Sequence, residues 1–436
     1  MQANKVWKRL FSVKHIKEHY NERISSKNSV GLDKITVKKF EKDLDENIDI
    51  ILRKVNNQTY NFTRYKQLLF LKGPNKPPRA VSVPTIRDKL TLSILHELIV
   101  SIYGDSCKIR LPQLIINERS GEITNYDSFI KLDIKSFYSS IDQDKLMTVL
   151  KSKIRKKEIL YLILNAIQTQ SIAYPVKEKT KNSKRTKGIP EGLPVSNALA
   201  NIYLSKLDEK YQAIEQVKYW RYVDDILILV NKKSIIEIED MIDKDIKELG
   251  LSFNDKKDQG DITNGFEYLG YKLTDSCITV RQSSILKFEQ SIEELLRAAN
   301  KNNVSYIEWK LNNKITGFVL NNNKYGWLFF YSQINDMKLL FHLDSLVSTL
   351  LKRYNLDERI YCRRFVRAYY EITKALHTTK YIPNFDNYTI EDKWKILNDV
   401  YGEKISLREE REIEYRFRMI MAREIRDIER DIENFS

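Results

Sequence analysis

The sequence predicts an α+β fold, a small antiparallel sheet backed by helices, and three features of the chain predict it. Between Asp127 and Val149 the apolar residues change from every second position to every third or fourth. The stretch WRYVDDILILV (220–230) is two apolar runs pinched at Asp224-Asp225, the pattern of a buried hairpin with an acidic tip. Residues 281–355 and the final segment repeat apolar positions at helical spacing.

Taken in order, residues 1–60 read as basic helices, one of them running from Thr36, its N-cap, to Leu52. Alternating short strands follow. Ile130, Leu132 and Ile134 then alternate with Lys131, Asp133 and Lys135, which sets Asp133 on the polar face of a strand. Asp142 caps the helix after it. KEKTKNSKRTK (177–187) is a basic loop, either solvated or in contact with a polyanion backbone. A helix runs from Ser196 to about Lys210. Near the end, Ser406 and Glu409 have capping-box spacing. After them Ile413, Phe417, Ile420, Met421, Ile425, Ile428 and Ile432 form a stripe for docking on the core or for self-association.

Composition narrows the class. With 42% hydrophobic and 31% charged residues the chain is globular rather than disordered, and its 436 residues predict two or three structural units. The net charge is +15, yet residues 361–436 hold 15 Lys+Arg against 15 Asp+Glu, so the whole excess lies in residues 1–360. A polyanion is expected to bind there. The start lacks an apolar leader and no run approaches bilayer length, so a cytoplasmic protein with no membrane partner is expected. Cys107, Cys277 and Cys362 lack metal-ligand spacing and read as buried thiols.

The aspartates carry the chemistry. One acidic residue on a strand and two adjacent ones on a hairpin can cage divalent cations, the arrangement two-metal nucleotidyl transfer requires. An Asp-Asp pair in an exposed turn is the bland alternative, and YVDD by itself does not decide between them.

Seven segments in order decide it. SVGLDKIT (29–36), KGPNKPPRAVSVPTIRDKL (72–90), LDIKSFYSSI (132–141), GIPEGLPVSNALAN (188–201), YVDD (222–225), LSFNDKK (251–257) and FEYLGYKL (266–273) together resemble the reverse transcriptase family over roughly residues 29–355. The resemblance implies a right-hand polymerase: fingers and palm over residues 1–280, a helical thumb over 281–355 and a helical C-terminal extension over 356–436. It also implies that Asp133, Asp224, Asp225 and the Ile134 carbonyl hold two Mg2+ ions, with Mn2+ as the alternative. Tyr138 matches the steric gate against a ribose 2′-hydroxyl, with Phe137 as its competitor for that place. Arg79 matches the arginine that grips the incoming triphosphate, with Lys72 and Lys76 as added charge. Lys257 matches a proton donor to pyrophosphate, and neighbouring Lys256 leaves that register open by one.

One motif departs from the family. The usual Pro-Gln-Gly reads Pro190-Glu191-Gly192, and the usual Ser-Pro reads Ser196-Asn197. An ionised Glu191 only accepts hydrogen bonds and would repel a triphosphate. Gly188 and Gly192 let the backbone approach template and nucleotide. KLNNKITGFVLNNNKYGWLFFY (310–331) is similar to the thumb of group II intron-like bacterial enzymes, which implies that Lys310, Lys314 and Lys324 meet a nucleic-acid groove and that Trp327, Phe329 and Phe330 are core. YCRRFVR (361–367) is a second candidate RNA contact. The altered motif and short extension look most like defence-associated reverse transcriptases, related to abortive-infection enzymes. That implies an RNA-directed DNA polymerase with a cognate noncoding RNA as template, a DNA product or primer, and deoxynucleoside triphosphates. An intron-derived enzyme acting in splicing or retrotransposition, and a non-polymerising RNA scaffold, are the alternatives.

Overall fold

Period-two alternation over residues 128–133 becomes a strand because one of its faces has a core to cover. The structure, a computed structural model, describes residues 2–25, 30–71, 78–108, 110–120, 123–174, 183–255, 257–301 and 303–432. The chain divides into two compact units, Met1–Arg110 with Ser128–Gln259, and Leu111–Asp127 with Gly260–Ser436.

In chain order the strands up to residue 261 are β1 (Tyr65–Phe70), β2 (Arg79–Val83), β3 (Ser128–Asp133), β4 (Ser171–Ala173), β5 (Val217–Tyr222), β6 (Asp225–Val230) and β7 (Asp258–Asp261). One sheet has the order β2-β1-β4, the other β5-β6-β3-β7. In the second sheet β3 runs antiparallel to β6, and β5 antiparallel to β6.

Side chains alternate across that sheet, so its two faces have different fates. Ile130, Leu132, Ile226, Ile228 and Val230 share one core with Leu146 and Leu150 of the helix Gln143–Lys153, Leu199 and Ile202 of Ser196–Gln212, and Ile242 and Ile246 of Ile235–Glu248. Full burial stabilises each such aliphatic side chain by roughly 1.5–3 kcal/mol. Sliding β3 by one residue would exchange this set for Lys131 and Asp133, so the register is firmly set. The opposite face carries Asp133 and Asp225. The α+β architecture is as expected.

The helices Gln2–Leu10, Val13–Arg23, Val37–Lys42 and Leu44–Asn56 precede β1. Thr36 does accept the Lys39 N–H as an N-cap, but the single helix expected to Leu52 is two. It breaks at Asp43, whose carbonyl accepts both the Asn47 N–H (3.0 Å) and the Asn47 side-chain amide (2.7 Å) and so starts a new helix. Asp142 caps as read, accepting from Asp144 and Lys145 N–H.

In the second unit a sheet of Phe266–Tyr268, Tyr271–Leu273 and Ile278–Val280 is followed by helices. Trp327 and Phe329 are core, and the Trp327 ring stacks on Phe288 with centroids 4.5 Å apart; Phe330 is half-buried. The helix Glu410–Asp431 buries Ile413, Phe417, Ile420, Met421 and Ile428 against Phe318, Phe385 and Leu397. The apolar stripe is therefore occupied within the unit. Its capping box is not formed as read: Glu409 reaches the Ser406 N–H (3.3 Å), but the helix starts only at Glu410.

Two lysines read as groove contacts are committed elsewhere. Lys310 pairs with Glu424 (3.1 Å) and Asp427 (2.8 Å), and Lys314 with Asp431 and the Ser291 hydroxyl. Burial alone would lower the Lys310 pKa, but the two carboxylates outweigh it and hold the ammonium above its ordinary value. Lys324 is exposed. The cysteines are free, and only Cys107 is fully buried. Residues 281–355 and 356–436 lie together in this unit.

Candidate active site

Asp133 is the last residue of β3 and sits directly opposite Asp225, the first of β6. Residues so paired have Cα atoms about 4.5–5.5 Å apart and point to the same face, so the register itself brings these two carboxylates together. Tyr222 pairs with Asp225 across the hairpin, which leaves Val223 and Asp224 as a two-residue turn. The turn is anchored to β3, since the Ile134 N–H donates to the Asp224 carbonyl (3.1 Å).

Val223 adopts φ of 56°, a left-handed conformation unfavourable for a β-branched residue by about 1–3 kcal/mol. Arg221 holds it there. This guanidinium, only 6% exposed, donates to the Val223 carbonyl (2.7 Å) and the Asn201 side chain (3.1 Å), and grips both oxygens of Asp208 (2.8 and 2.5 Å). A second clamp reaches Asp133. The Asn254 N–H donates to the Asp133 carbonyl (2.9 Å), its side-chain amide donates to Asp133 Oδ2, and the Lys135 N–H donates to the Ser252 carbonyl (2.8 Å). Ile134, in a β-bridge with Phe253, is thereby fixed from both sides.

Beyond Asp133 the chain turns at Ser136 (φ 49°) into the short helix Phe137–Ser140. Phe137 goes into the core at 2% exposure, whereas Tyr138 stays half-buried beside the aspartates with its hydroxyl donating to Asn197 Oδ1. Burial raises the Tyr138 pKa, with the Asp224 and Glu191 carboxylates adding to it, so the phenol is neutral. Tyr222 is raised in the same way, by burial and then Asp224.

Glu191, the departure in the fourth motif, pairs with Arg79 of β2, Nε to Oε1 at 2.5 Å, while its carbonyl accepts the Ser82 N–H (2.7 Å). Gly192 has φ of 92°, and a Cβ there would lie 2.4 Å from Val81 Cγ1. Gly188, with φ of 72°, would place a Cβ 2.6 Å from the Ser139 carbonyl oxygen. The loop 188–192 therefore lies backbone to backbone against β2 and the Tyr138 helix, contacts a side chain would block. Lys257 pairs with Glu239 on the helix Ile235–Glu248. Lys72, Lys76 and Lys256 lie outside the described residues.

Sequence reading missed Arg221, Asp208, Asn201 and Asn254. An arginine within an apolar strand next to the acidic pair was the available signal for the first, since burying a guanidinium demands a partner. The Asp133 and Asp225 carboxylates, which the register puts on one face, are hard oxygen donors of the kind divalent cations such as Mg2+ take and soft metals do not. With Asp224 in the adjoining turn, they are the residues that would hold such ions.

A strand and an acid-tipped hairpin in one small antiparallel sheet, with a second small sheet in the same chain, agree with the right-hand polymerase fold that the sequence predicts. Residues 71–273 match the family described as reverse transcriptase (RNA-dependent DNA polymerase). Curated relatives include an uncharacterised 91 kDa protein in the cob intron of Schizosaccharomyces pombe, 32% identical over 37% of this chain and 20% of its own length. The group II intron-encoded protein LtrA of Lactococcus lactis is 25% identical over 38% of this chain and 28% of its own. The retron Ec86 reverse transcriptase of Escherichia coli is 26% identical over 43% of this chain and 55% of its own. The chain thus spans about half or less of these relatives. Among solved structures, telomerase from Candida albicans with a fragment of telomeric RNA aligns at a TM-score of 0.43 and 13% identity, covering 89% of this chain and 67% of that one. Apo telomerase from Candida tropicalis, truncated of its C-terminal domain, aligns at 0.40 and 16%, covering 50% and 55%.

Proposed function

We propose that the protein is an RNA-directed DNA polymerase that copies a cognate noncoding RNA in bacterial antiphage defence. The register of Asp133 opposite Asp225, with Asp224 tied to the Ile134 N–H, carries the reading of the chemistry. The family match over residues 71–273 supports it. The defence role rests on the altered fourth motif, with Glu191 and Asn197 in place of the usual residues.

Asp133, Asp224 and Asp225 would hold two divalent ions, Mg2+ or Mn2+, with the Ile134 carbonyl assisting. When bound, such ions would supply the positive charge that activates a primer 3′-hydroxyl and offsets charge on a leaving pyrophosphate. Arg221 and Asn254 fix the carboxylates in place. Tyr138 closes the side of the pocket where a ribose 2′-hydroxyl would lie. Arg79 exchanges Glu191 for the triphosphate, Gly192 lets the loop approach, and Lys72 adds charge. Lys257, leaving Glu239, donates a proton to pyrophosphate.

The intron relatives favour a second reading, an enzyme acting in splicing or retrotransposition. One experiment separates the readings. The full chain is purified with its bound RNA, the RNA is sequenced, and labelled deoxynucleotides are added with Mg2+ or Mn2+. DNA complementary to a small non-intron RNA, absent with Asp224→Asn/Asp225→Asn, is the expected result. Bound intron RNA favours the second reading. Synthesis undiminished in the double variant overturns the site, and no synthesis by wild type under any of these conditions points to an RNA scaffold. Among the described residues no helix is long and apolar enough to cross a membrane. A cytoplasmic location is part of this proposal, as is RNA affinity that falls steeply with salt, given the +15 charge.

A further inference from the structure

Away from the aspartates, three ligating side chains converge between two helices of the first unit, and nucleotidyl transfer has no use for them. His15 and His19 stand four residues apart on Val13–Arg23, hence on one face. Glu97 meets them from Ile86–Tyr103. Glu97 Oε2 lies 3.1 Å from His15 Nε2 and 3.1 Å from His19 Nδ1. All three atoms lie within 4.8 Å of one another.

We propose that His15, His19 and Glu97 form a zinc site that clips the helix Val13–Arg23 to the helix Ile86–Tyr103. A tetrahedral zinc ion with bonds of 2.0–2.1 Å has ligand-to-ligand edges of about 3.3 Å. Two edges of that tetrahedron are thus already present to within a few tenths of an ångström, and the third, between the two imidazoles, is within 4.8 Å. Two imidazoles and one carboxylate are a donor set zinc takes, with a fourth position left for water.

The outer contacts suit the assignment. His19 Nε2 lies 2.7 Å from the Ser93 hydroxyl, on the helix that carries Glu97. With the proton on Nε2 donated to Ser93, Nδ1 presents its lone pair toward Glu97 and the ion, which is how ligating histidines are oriented. His19 is 3% exposed while His15 and Glu97 are 26% and 33% exposed, so one ligand is locked and the other two border solvent through which an ion enters. Arg23 lies on the same helix as both histidines, and its positive charge opposes a bound cation.

The site is independent of the polymerase reading and its test does not use activity. Metal-stripped full chain is titrated with Zn2+ in excess Mg2+, by calorimetry and by thermal unfolding, and with Co2+ by its visible absorption. The expected result is one Zn2+ per chain, a raised unfolding temperature and the intense bands of tetrahedral Co2+, all retained in Asp224→Asn/Asp225→Asn. Binding is lost in His15→Ala and in Glu97→Gln, and weakened roughly tenfold in Ser93→Ala. Glu97→Gln keeps the shape of the side chain, so it decides the matter if His15→Ala fails to fold. No Zn2+ bound by wild type, or binding unchanged in Glu97→Gln, overturns the site and leaves the triad as a hydrogen-bonded contact between helices.

Discussion

Arg79 Nε lies 2.5 Å from Glu191 Oε1, so the arginine assigned to the incoming triphosphate is held by the one carboxylate that departs from the family's motif. Glu191 was expected to repel a nucleotide. Its carboxylate pairs with Arg79, and on the proposed reading a triphosphate competes with it for that guanidinium. Glu191→Gln removes that competition. The pair is about one quarter exposed on each side, which limits it to about 1 kcal/mol. The apparent KM for deoxynucleotides should therefore fall about fivefold with kcat nearly constant, in single-nucleotide incorporation. Arg79→Ala should raise it. An unchanged KM in Glu191→Gln would make the departure incidental.

Tyr138, not Phe137, borders the aspartates, and its hydroxyl is tied to Asn197. Tyr138→Ala should raise incorporation of ribonucleotides relative to deoxynucleotides by roughly 10–100-fold, the scale of a single steric contact. Tyr138→Phe keeps the ring and should keep the discrimination. Competition assays with paired nucleotides measure both. Equal sugar selectivity in Tyr138→Ala would remove it from the gate.

Lys310 is 13% exposed and Glu424 3%, so this pair is structural before it can be a nucleic-acid contact. Removing the lysine leaves a buried carboxylate without its cation. Lys310→Ala should destabilise the chain by about 3–5 kcal/mol, seen in denaturant unfolding. Lys310→Met with Glu424→Gln should recover part of the loss. If Lys310→Ala unfolds like wild type while RNA binding weakens, the lysine faces nucleic acid after all.

What could be read from the sequence follows the range of each interaction. Asp133 and Asp225 were legible because a strand's period of two assigns each residue a face from its neighbours alone, and the core residues Ile226 and Ile228 enforce it. The Asp142 cap is likewise local. The carboxylate partners of Lys310 were not legible because they lie far along the chain, Asp427 being 117 residues away. The arginine of the hairpin escaped notice for a different reason: a pattern marks a charge within a strand but not which helix will receive it, even when Asp208 lies only 13 residues away. The break at Asp43 needed the Asn47 side chain to return to its carbonyl, a choice that helical spacing does not record.

Arg221 ties the strained Val223 to Asp208 and Asn201, and Arg221→Lys tests whether the fork geometry matters. A lysine keeps the charge but cannot reach both Asp208 oxygens and the turn at once. With the turn less constrained, Asp224 loses its placement, and kcat should drop by roughly 100-fold for a shift on the order of 1 Å. Nucleotide KM should change little, because Arg79 and Tyr138 are untouched. A pre-steady-state burst assay separates the two parameters, and an unchanged kcat would show that the hairpin holds Asp224 without this clamp.

Asn254 is the most direct test of how Asp133 is aimed, because one residue supplies both a backbone and a side-chain donor to it. Asn254→Ala keeps the backbone bond and deletes only the amide, so the strand should hold while the carboxylate is set loose. The Mg2+ concentration for half-maximal activity should then rise roughly 10–100-fold, with maximal rate at saturating metal largely recovered. Asn254→Asp replaces a donor by a second anion against Asp133. The two carboxylates repel, so apart from any cation the site should be less stable near neutral pH than in the alanine variant. Thermal unfolding without metal, compared with unfolding in Mg2+ or Mn2+, reads this out: the aspartate variant should gain more from the ion than the alanine variant does. Equal metal dependence in wild type and both variants would mean that Asp133 is oriented by β3 alone.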